Sequence, residues 1–446
     1  MSVKGEETVK LKRVLSFSDV LSYGLLYFVP IAPMGVFGFI YNISNGMVAL
    51  TYLMVALAMI FSAISYSEMA RKIPLSGSVY SYVSKGFNPF VGFVSGWAIL
   101  LDYLFLPALL AIFGAIAMAD YIPAIPRPMW ALMFVLIPMA VNLIGIQMNT
   151  RLGKILLMIQ LIVLGIFCVF AAAKIFAVGV PAEAFIAPLY NKESFAVTAV
   201  FAAMPIAALS FIGFDAISTL NEEAIGGGKA VSKATMWLLV IVTFLFVLQV
   251  YLAAVFTPVN SAFSESEVET AFYTVSTGVV GGWFHGVIIL TNAIIAILAN
   301  ALVSQATTSK VLYNMARDKR LPAPLAKLNR FSAPWVSITT VAALSFVIAI
   351  LGRNQADFVT TLVTFGALVA YIMLNITVIV YFSKNGDRSI FKHLISPLLG
   401  TLILMYALWN ADYRAKLIGI AWIILGIVLT LLLKKANKLD EINLDV

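Results

Sequence analysis

The chain has 446 residues, of which 62% are hydrophobic and only 11% are charged, and its mean hydropathy is +0.99. No water-soluble fold of this size needs so much apolar sequence, whereas an integral membrane protein does. The net charge of +8 would suit a nucleic-acid-binding protein, but the basic residues lie between apolar stretches, where membrane topology accounts for them.

Twelve apolar stretches, each consistent with a membrane-crossing helix, follow one another along the chain. Since one such helix takes about 20 apolar residues, twelve leave room for short loops only. The first six predicted spans lie near 17–42, 47–70, 91–119, 128–146, 152–177 and 196–220. The second six lie near 234–257, 283–314, 336–352, 358–383, 391–409 and 416–434. We therefore predict an all-α integral membrane protein with a single transmembrane domain over residues 1–446.

The distribution of Lys and Arg between alternate loops predicts the orientation of the chain. With the N-terminus placed in the cytoplasm, 23 of the 29 Lys and Arg residues fall on the cytoplasmic side and 6 on the outer side. Cytoplasmic loops of membrane proteins carry such an excess of positive charge. The count favours an even number of spans with both termini in the cytoplasm.

Two of the predicted spans contain helix-breaking residues. The first, "SYGLLYFVPIAPMGVFGF", carries Pro30 and Pro33, and the sixth, "LSFIGFDAIST", carries Gly213 beside Asp215. Broken backbone at membrane depth is tolerated only where it packs on protein or lines a cavity. Because the two spans are five helices apart, the breaks suggest an inverted repeat with a substrate site between them. Two ordinary kinks are the alternative, but the charge beside one break favours a cavity.

The segment "GWAILLDYLFLP" places Asp102 near the middle of an apolar run with no other charge between residues 91 and 119. A carboxylate at this depth costs about 2.5–3.5 kcal/mol, so it requires a compensating role. No basic residue lies at similar depth in any predicted span, which leaves a cationic ligand, a proton, or both for Asp102 and Asp215. A protonated structural acid is the alternative for each. Pro107 frees the carbonyl of Tyr103, which would add an acceptor for an ammonium group.

Several patterns that resemble other functional sites are incomplete. The "GGGKA" segment at 226–230 lacks the earlier glycine and the Ser or Thr of a phosphate-binding loop, so nothing supports ATP-driven transport. His285 and His393 are isolated near span ends, and we expect neither a metal site nor another cofactor. No catalytic triad or dyad occurs at usable depth, so we expect no enzyme. Three hydroxyl residues of the eighth span would either coordinate sodium or hydrogen-bond within their helix: Ser304, Thr307 and Thr308.

Five strings of the sequence together resemble one transporter family. They are "AISYSEMARKIPLSGSVYSYV", "GWAILLDYLFLP", "SFIGFDAISTLNEEA", "LYNMARDKRLP" and "FGALVAY". They resemble the amino acid–polyamine–organocation transporters, and most of all the bacterial putrescine importers. The resemblance implies a LeuT-like five-plus-five inverted repeat, with repeats at 17–177 and 196–383 and two additional helices at 391–434. It also implies alternating access around broken helices one and six.

The sequence departs from amino-acid-transporting members of that family at the first break. Those members usually have a Gly-rich break whose N–H groups hold the substrate carboxylate, whereas this chain reads Phe28-Val29-Pro30. Pro30 has no N–H to donate, and Phe28 crowds the approach. This difference favours an amine that lacks a carboxylate.

Three further positions can be compared with the family pattern. Proton-coupled amino-acid members often carry a Lys in helix five, where this chain has Gln160. An acid in helix six is central to related antiporters, and Asp215 matches it. The aromatic gate of some relatives corresponds to Leu209, so gating would instead use Phe211 or Phe214.

From the residues and the resemblance together we expect a plasma-membrane transporter that imports a small organic cation, putrescine or a related polyamine, by proton symport. The expected substrate site comprises Asp102, Asp215, Phe28, Val29, Pro30, Ile31, Tyr103, Phe211, Ile212, Gly213 and Phe214. Asp215 and Asp102 are the candidates for carrying the coupling proton. The alternative is an amino acid transporter of the same superfamily. A channel or a membrane sensor is a less favoured class, since a sensor would need a soluble output domain.

Overall fold

The computed structural model of the protein describes residues 13–76, 78–386, 389–409 and 413–435. Within these ranges the chain is helical, and the only β-type pairing is an isolated bridge between Leu15 and Ala224. The all-α prediction is therefore confirmed. Both termini, at residues 1–12 and 436–446, lie outside the described residues. Their expected location in the cytoplasm stays a prediction.

Seventeen α-helices follow one another in the described ranges. The first nine are α1 (Phe17–Phe28), α2 (Pro33–Ile43), α3 (Val48–Lys72), α4 (Ser78–Gly86), α5 (Pro89–Tyr121), α6 (Arg127–Leu143), α7 (Ile146–Val178), α8 (Ala182–Ile186) and α9 (Val197–Leu209). The other eight are α10 (Gly227–Val255), α11 (Ala271–Val280), α12 (Trp283–Leu290), α13 (Ile297–Arg317), α14 (Trp335–Leu351), α15 (Ala356–Lys384), α16 (Ser396–Trp409) and α17 (Tyr413–Lys435).

Several of these helices are suited to cross a bilayer. In the part of the chain that the structure describes, 7 helices are long and apolar enough, and α1 with α2 makes an eighth if the bent pair is one span. Shorter apolar helices occupy the fourth, sixth, ninth and twelfth predicted spans. The short helices α4, α8 and α11 lie between spans and were not predicted. The protein is thus a multi-pass membrane protein, and the total of twelve spans stays a prediction.

The first predicted break separates α1 from α2, whose axes are bent by 50°. Helix α1 ends at Phe28, and Val29 adopts a left-handed conformation with φ of 56°. Pro33 opens α2 at a first-turn position, where its missing N–H costs no hydrogen bond. The carbonyl of Pro30 accepts a hydrogen bond from the Gln249 side chain at 2.8 Å. The break therefore packs on protein, as its depth in the membrane requires.

The second break follows α9, which ends at Leu209, and continues into a 3-10 segment at Ala216–Leu220. Gly213 lies in the break with φ of 128°, a conformation that residues with a side chain rarely adopt. A Cβ atom at this position would collide with the ring of Tyr27 from α1. The two broken helices thus meet directly, which places both breaks in one region of the molecule.

Helix α5 lies at the centre of the fold and packs against α4, α6, α13, α14, α15 and α17. Near its start, Trp97 stacks on Trp422 of α17 with ring centroids 4.6 Å apart. Each indole N–H donates to the other residue's carbonyl, at 2.9 and 2.7 Å. These contacts dock α17 onto the helix that carries Asp102.

We expect Gly213→Ala to destabilise the protein, because the new methyl group meets Tyr27 and the backbone conformation becomes strained. Strain of this kind costs about 1–3 kcal/mol. Gly165→Ala on α7 is the matched control, since nothing lies within 4 Å of its added Cβ. Thermal unfolding in detergent measures the difference. Equal unfolding temperatures for the two variants would contradict the close approach of α1 to the second break.

Candidate functional site

Asp102 lies on α5 and is completely buried, with 0% of its surface exposed. Neither of its carboxylate oxygens has a hydrogen-bond partner among the residues that the structure describes. Helix α15 approaches closely at this level, because Gly366 lies against the Asp102 backbone nitrogen. Buried polar groups are almost always hydrogen-bonded, and an unpaired buried carboxylate is the most expensive exception. The carboxylate is therefore able to accept a proton or a cation.

Asp215 is also completely buried, but its carboxylate is held on both sides. The Tyr371 hydroxyl of α15 donates to Oδ1 at 2.6 Å, and the Tyr103 hydroxyl of α5 donates to Oδ2. The Ser78 hydroxyl lies 3.1 Å from that of Tyr103 and extends the network to α4. Asp215 thus ties the second break to three helices, which explains how an acid at this depth is accommodated.

The two acids lie close enough to interact electrostatically, and Tyr27 of α1 lies within electrostatic range of both. The Tyr27 hydroxyl is buried and lacks a hydrogen-bond partner in the described part of the chain. The region between the breaks therefore contains an unpaired carboxylate and an unpaired hydroxyl.

Aromatic rings form one wall of this region. Tyr66 of α3 packs edge-on against Phe214 and Tyr371, with ring centroids 5.2 and 5.6 Å apart. Phe214 and Tyr371 in turn lie 4.9 Å apart. Ring faces attract cations that come within about 6 Å of the centroid. The wall is thus chemically suited to a positively charged ligand.

The structure brings five of the predicted site residues together: Asp102, Tyr103, Gly213, Phe214 and Asp215. The remaining six are buried in the two breaks: Phe28, Val29, Pro30, Ile31, Phe211 and Ile212. Phe28 and Phe211 pack against Phe246 of α10, with centroids 6.5 and 5.1 Å apart. These two rings thus belong to an aromatic cluster that links both breaks to α10. The role of all these residues in binding stays a prediction.

Sequence reasoning missed the residues that complete the region: Tyr27, Tyr66, Ser78, Gln249 and Tyr371. All five are buried. Tyrosine contributes little to a hydropathy pattern that separates charged from apolar residues. Buried tyrosines still require a partner for the hydroxyl, so a hydroxyl-bearing ring at mid-span depth was the available signal.

The Tyr103 carbonyl is not the free acceptor that Pro107 was expected to create. The Thr308 hydroxyl of α13 donates to it at 2.6 Å and also lies 2.8 Å from the Ser304 carbonyl in its own helix. The Thr307 hydroxyl pairs with that of Tyr23 at 3.0 Å. These contacts favour the structural interpretation of the hydroxyl residues on α13 over sodium coordination.

His393 is not isolated, contrary to the expectation from sequence. It is buried, stacks on Phe382 at a centroid distance of 3.6 Å, and places Nε2 3.4 Å from a Glu68 oxygen. Lys392 contacts the other oxygen of Glu68 at 3.1 Å. The cluster anchors the segment before α16 to the C-terminal end of α3. No group of three or more His, Cys, Asp or Glu residues suited to a metal occurs among the described residues.

Gln160, which the sequence resemblance compares with a Lys of some transporters, lies on α7. It is fully buried, and neither its amide oxygen nor its amide nitrogen has a hydrogen-bond partner within the described ranges. An amide cannot supply a titrating charge.

The region that contains the two acids is covered on the side of α2. The Asn42 amide and the Phe263 backbone exchange hydrogen bonds of 2.8 and 2.9 Å, which fasten the loop after α10 to this helix. Gly38 of α2 lies directly against the Val268 carbonyl of the same loop. Uncharged contacts thus close this end.

The opposite end is closed by ion pairs. Arg317 donates to both oxygens of Glu222, at 2.8 and 2.9 Å, and Lys310 forms a buried ion pair with Glu223. Glu222 also accepts from the Ser76 backbone at 3.2 Å. Burial raises the pKa of Glu222, but the hydrogen bonds and charge of Arg317 outweigh burial and hold that pKa below its ordinary value. The stability that the Arg317–Glu222 pair contributes is therefore fully present above pH ~4.3. It is lost as the pH falls through the lowered pKa of Glu222.

Comparisons with known proteins agree with this architecture. A family model described as "Amino acid permease" matches residues 14–438. The low-affinity putrescine importer PlaP of Escherichia coli (strain K12) is 28% identical over 433 residues, covering 94% of this chain and 93% of that protein. The branched-chain amino acid permease BcaP of Bacillus subtilis is 25% identical over 426 residues, covering 88% and 87%. The lysine-specific permease LysP of Lactococcus lactis is 23% identical over 343 residues, covering 72% and 65%. These relatives are transporters and not enzymes.

The two ion pairs should differ in their importance. Lys310→Met leaves Glu223 buried without a partner, which we expect to cost about 3–5 kcal/mol. Arg317→Gln disrupts a more exposed pair, and we expect about 0.2–1 kcal/mol. Thermal unfolding of the purified variants measures both effects.

The double variant Glu223→Gln with Lys310→Met serves as the control, because it removes both charges. It should recover most of the stability that Lys310→Met loses. A Lys310→Met variant as stable as Arg317→Gln would contradict the buried ion pair.

Proposed function

The chain belongs to the amino acid permease family, and on that basis we propose that it is a secondary transporter that imports a small organic cation, putrescine or a related polyamine. The observation that carries the substrate class is the buried, unpaired carboxylate of Asp102. The putrescine importer among its relatives supports the same class. The proposed architecture has twelve spans, two inverted five-helix repeats and two additional helices, in the plasma membrane with both termini in the cytoplasm.

Asp102 is the proposed primary contact for the substrate ammonium. An ammonium has three donors, and one can reach the carboxylate while another reaches the Tyr27 hydroxyl. The rings of Tyr66, Phe214 and Tyr371 lie within reach of the second break and supply a cation–π surface. A charge-assisted hydrogen bond of this kind contributes about 1.5–3 kcal/mol.

The backbone donors in the breaks support an amine without a carboxylate. The Val29 N–H donates to the Leu25 carbonyl at 3.0 Å, and Pro30 has no N–H. In the second break the Gly213 N–H donates to the Tyr371 hydroxyl at 3.3 Å. Because these groups are already engaged, they offer little to a substrate carboxylate. An amino acid substrate, as in the relatives named as amino acid permeases, would have to use other donors.

Proton symport requires separate sites for the proton and the cation. A proton and an ammonium that competed for Asp102 would exclude one another, and mutual exclusion leads to exchange instead of symport. We therefore assign the ammonium to Asp102 and the coupling proton to Asp215. The hydrogen bonds of Asp215 with Tyr103 and Tyr371 can rearrange when Asp215 is protonated, because a hydroxyl both donates and accepts.

Uptake into proteoliposomes tests the substrate class. We expect saturable putrescine uptake that cadaverine inhibits and that leucine and lysine do not, because the site offers carboxylates and the N–H groups of Val29 and Gly213 are already engaged. Protein-free liposomes measure leakage. Saturable uptake of an amino acid that putrescine does not inhibit would instead establish the alternative, an amino acid transporter.

Substitutions of the two acids should have different effects on binding and on accumulation. Asp102→Asn keeps the side-chain shape but removes the charge, so putrescine affinity should fall by about 10–150-fold. Asp215→Asn should still bind putrescine and exchange it across the membrane, yet fail to accumulate it on a pH gradient. Calorimetric binding and counterflow in proteoliposomes separate these effects.

The opposite pattern, with binding lost only in Asp215→Asn, would reverse the two assignments. Unchanged affinity and accumulation in both variants would reject the cationic substrate and make Asp102 a neutral structural acid. Each variant is compared with its parent for thermal stability, so that a loss of function is distinguished from a loss of fold.

A further inference from the structure

An apolar cavity lies on the flank of the second broken helix, and neither of the two acids lines it. It has a volume of about 190 Å³ and lies between α3, α9, α15 and α16. Its walls include Met59, Phe201, Pro205, Leu368 and Leu404. Every lining residue that the structure describes is apolar except Tyr406, which has a hydroxyl group. Such a lining disfavours water, since a buried water needs two to four polar partners.

The surroundings of the cavity are equally apolar. Three of its four helices belong to segments long and apolar enough to cross a membrane. Leu57 on α3, next to the lining residue Ala58, is 52% exposed, and the lining residue Leu402 on α16 is 55% exposed. Exposed leucines on a membrane-crossing helix face lipid hydrocarbon. The cavity therefore lies beside the acyl chains of the bilayer.

We propose that this cavity binds one acyl chain of a membrane lipid. An apolar recess that excludes water and adjoins hydrocarbon is filled most favourably by a slender hydrocarbon chain, which restores the dispersion contacts that an unfilled recess would lack. The bound chain contacts Pro205 and Ala208 of α9, two to five residues before the second break begins at Ser210. Lipid occupancy thus supports the helix that carries the break, whether or not the transported substrate is a cation.

Photo-crosslinking in lipid nanodiscs tests the proposal. The probe is a phosphatidylethanolamine with a diazirine on its acyl chain, and mass spectrometry maps the labelled peptides. We expect labelling concentrated on residues 201–208 and 402–407, well above that of the lipid-exposed face of α7. Ala58→Phe should reduce labelling there by about fivefold or more, because Ala58 lines the cavity and is 3% exposed.

Leu57→Phe is the matched control, because it adds the same ring to the neighbouring, lipid-exposed position of α3. It should leave the labelling unchanged. If Ala58→Phe lowers thermal stability, Ala407→Phe fills the cavity from α16 and should give the same loss of labelling. Uniform labelling of all lipid-exposed helices, equal labelling in the cavity-filling variants, or a protein dimer that covers this face would overturn the proposal.

Discussion

A carboxylate without a partner in the middle of a membrane helix constrains the rest of this structure. Asp102 lies on α5, which packs against six other α-helices, so it cannot move to water without rearranging the core. Its burial costs several kcal/mol unless a proton or a cation compensates the charge. The neighbouring segments fit that requirement, because α1 and the second break approach α5 with hydroxyls and aromatic rings.

The two breaks follow from the same requirement, because an unbroken helix offers a ligand no backbone groups and little space. Breaking a helix in a membrane frees backbone groups that must be satisfied elsewhere. Here side chains from distant helices provide the partners: Gln249 holds the Pro30 carbonyl, and the Tyr371 hydroxyl accepts from the Gly213 N–H. These tertiary bonds stabilise the breaks, and they also occupy donors that would otherwise recognise a carboxylate. Stability of the breaks and substrate preference are therefore linked.

Hydropathy, the helix-breaking residues Pro30, Pro33 and Gly213, and the charges at mid-span depth were sufficient to predict the helical architecture, both breaks and the two acids. Those features depend on local properties of the chain, since apolar length and a missing N–H act wherever the segment folds. The short helix α4 was missed because its polar sequence carries no membrane signal, although it supplies Ser78 to the Asp215 network. The Tyr103 carbonyl and His393 were misjudged because their partners, Thr308 and Glu68, are more than 200 residues away in sequence. Such pairings arise only from tertiary contacts.

The two closures of the central region use different chemistry, and this difference bears on how each can open. Uncharged hydrogen bonds, as between Asn42 and Phe263, contribute about 0.5–1.5 kcal/mol each and exchange readily for bonds to water. The Glu223–Lys310 pair is buried, so removing one partner by substitution leaves a costly unpaired charge. Opening that end instead exposes both charges to water together, and each regains hydration. The same ion pair can therefore resist substitution strongly and still permit opening, as the proposed alternating access would require.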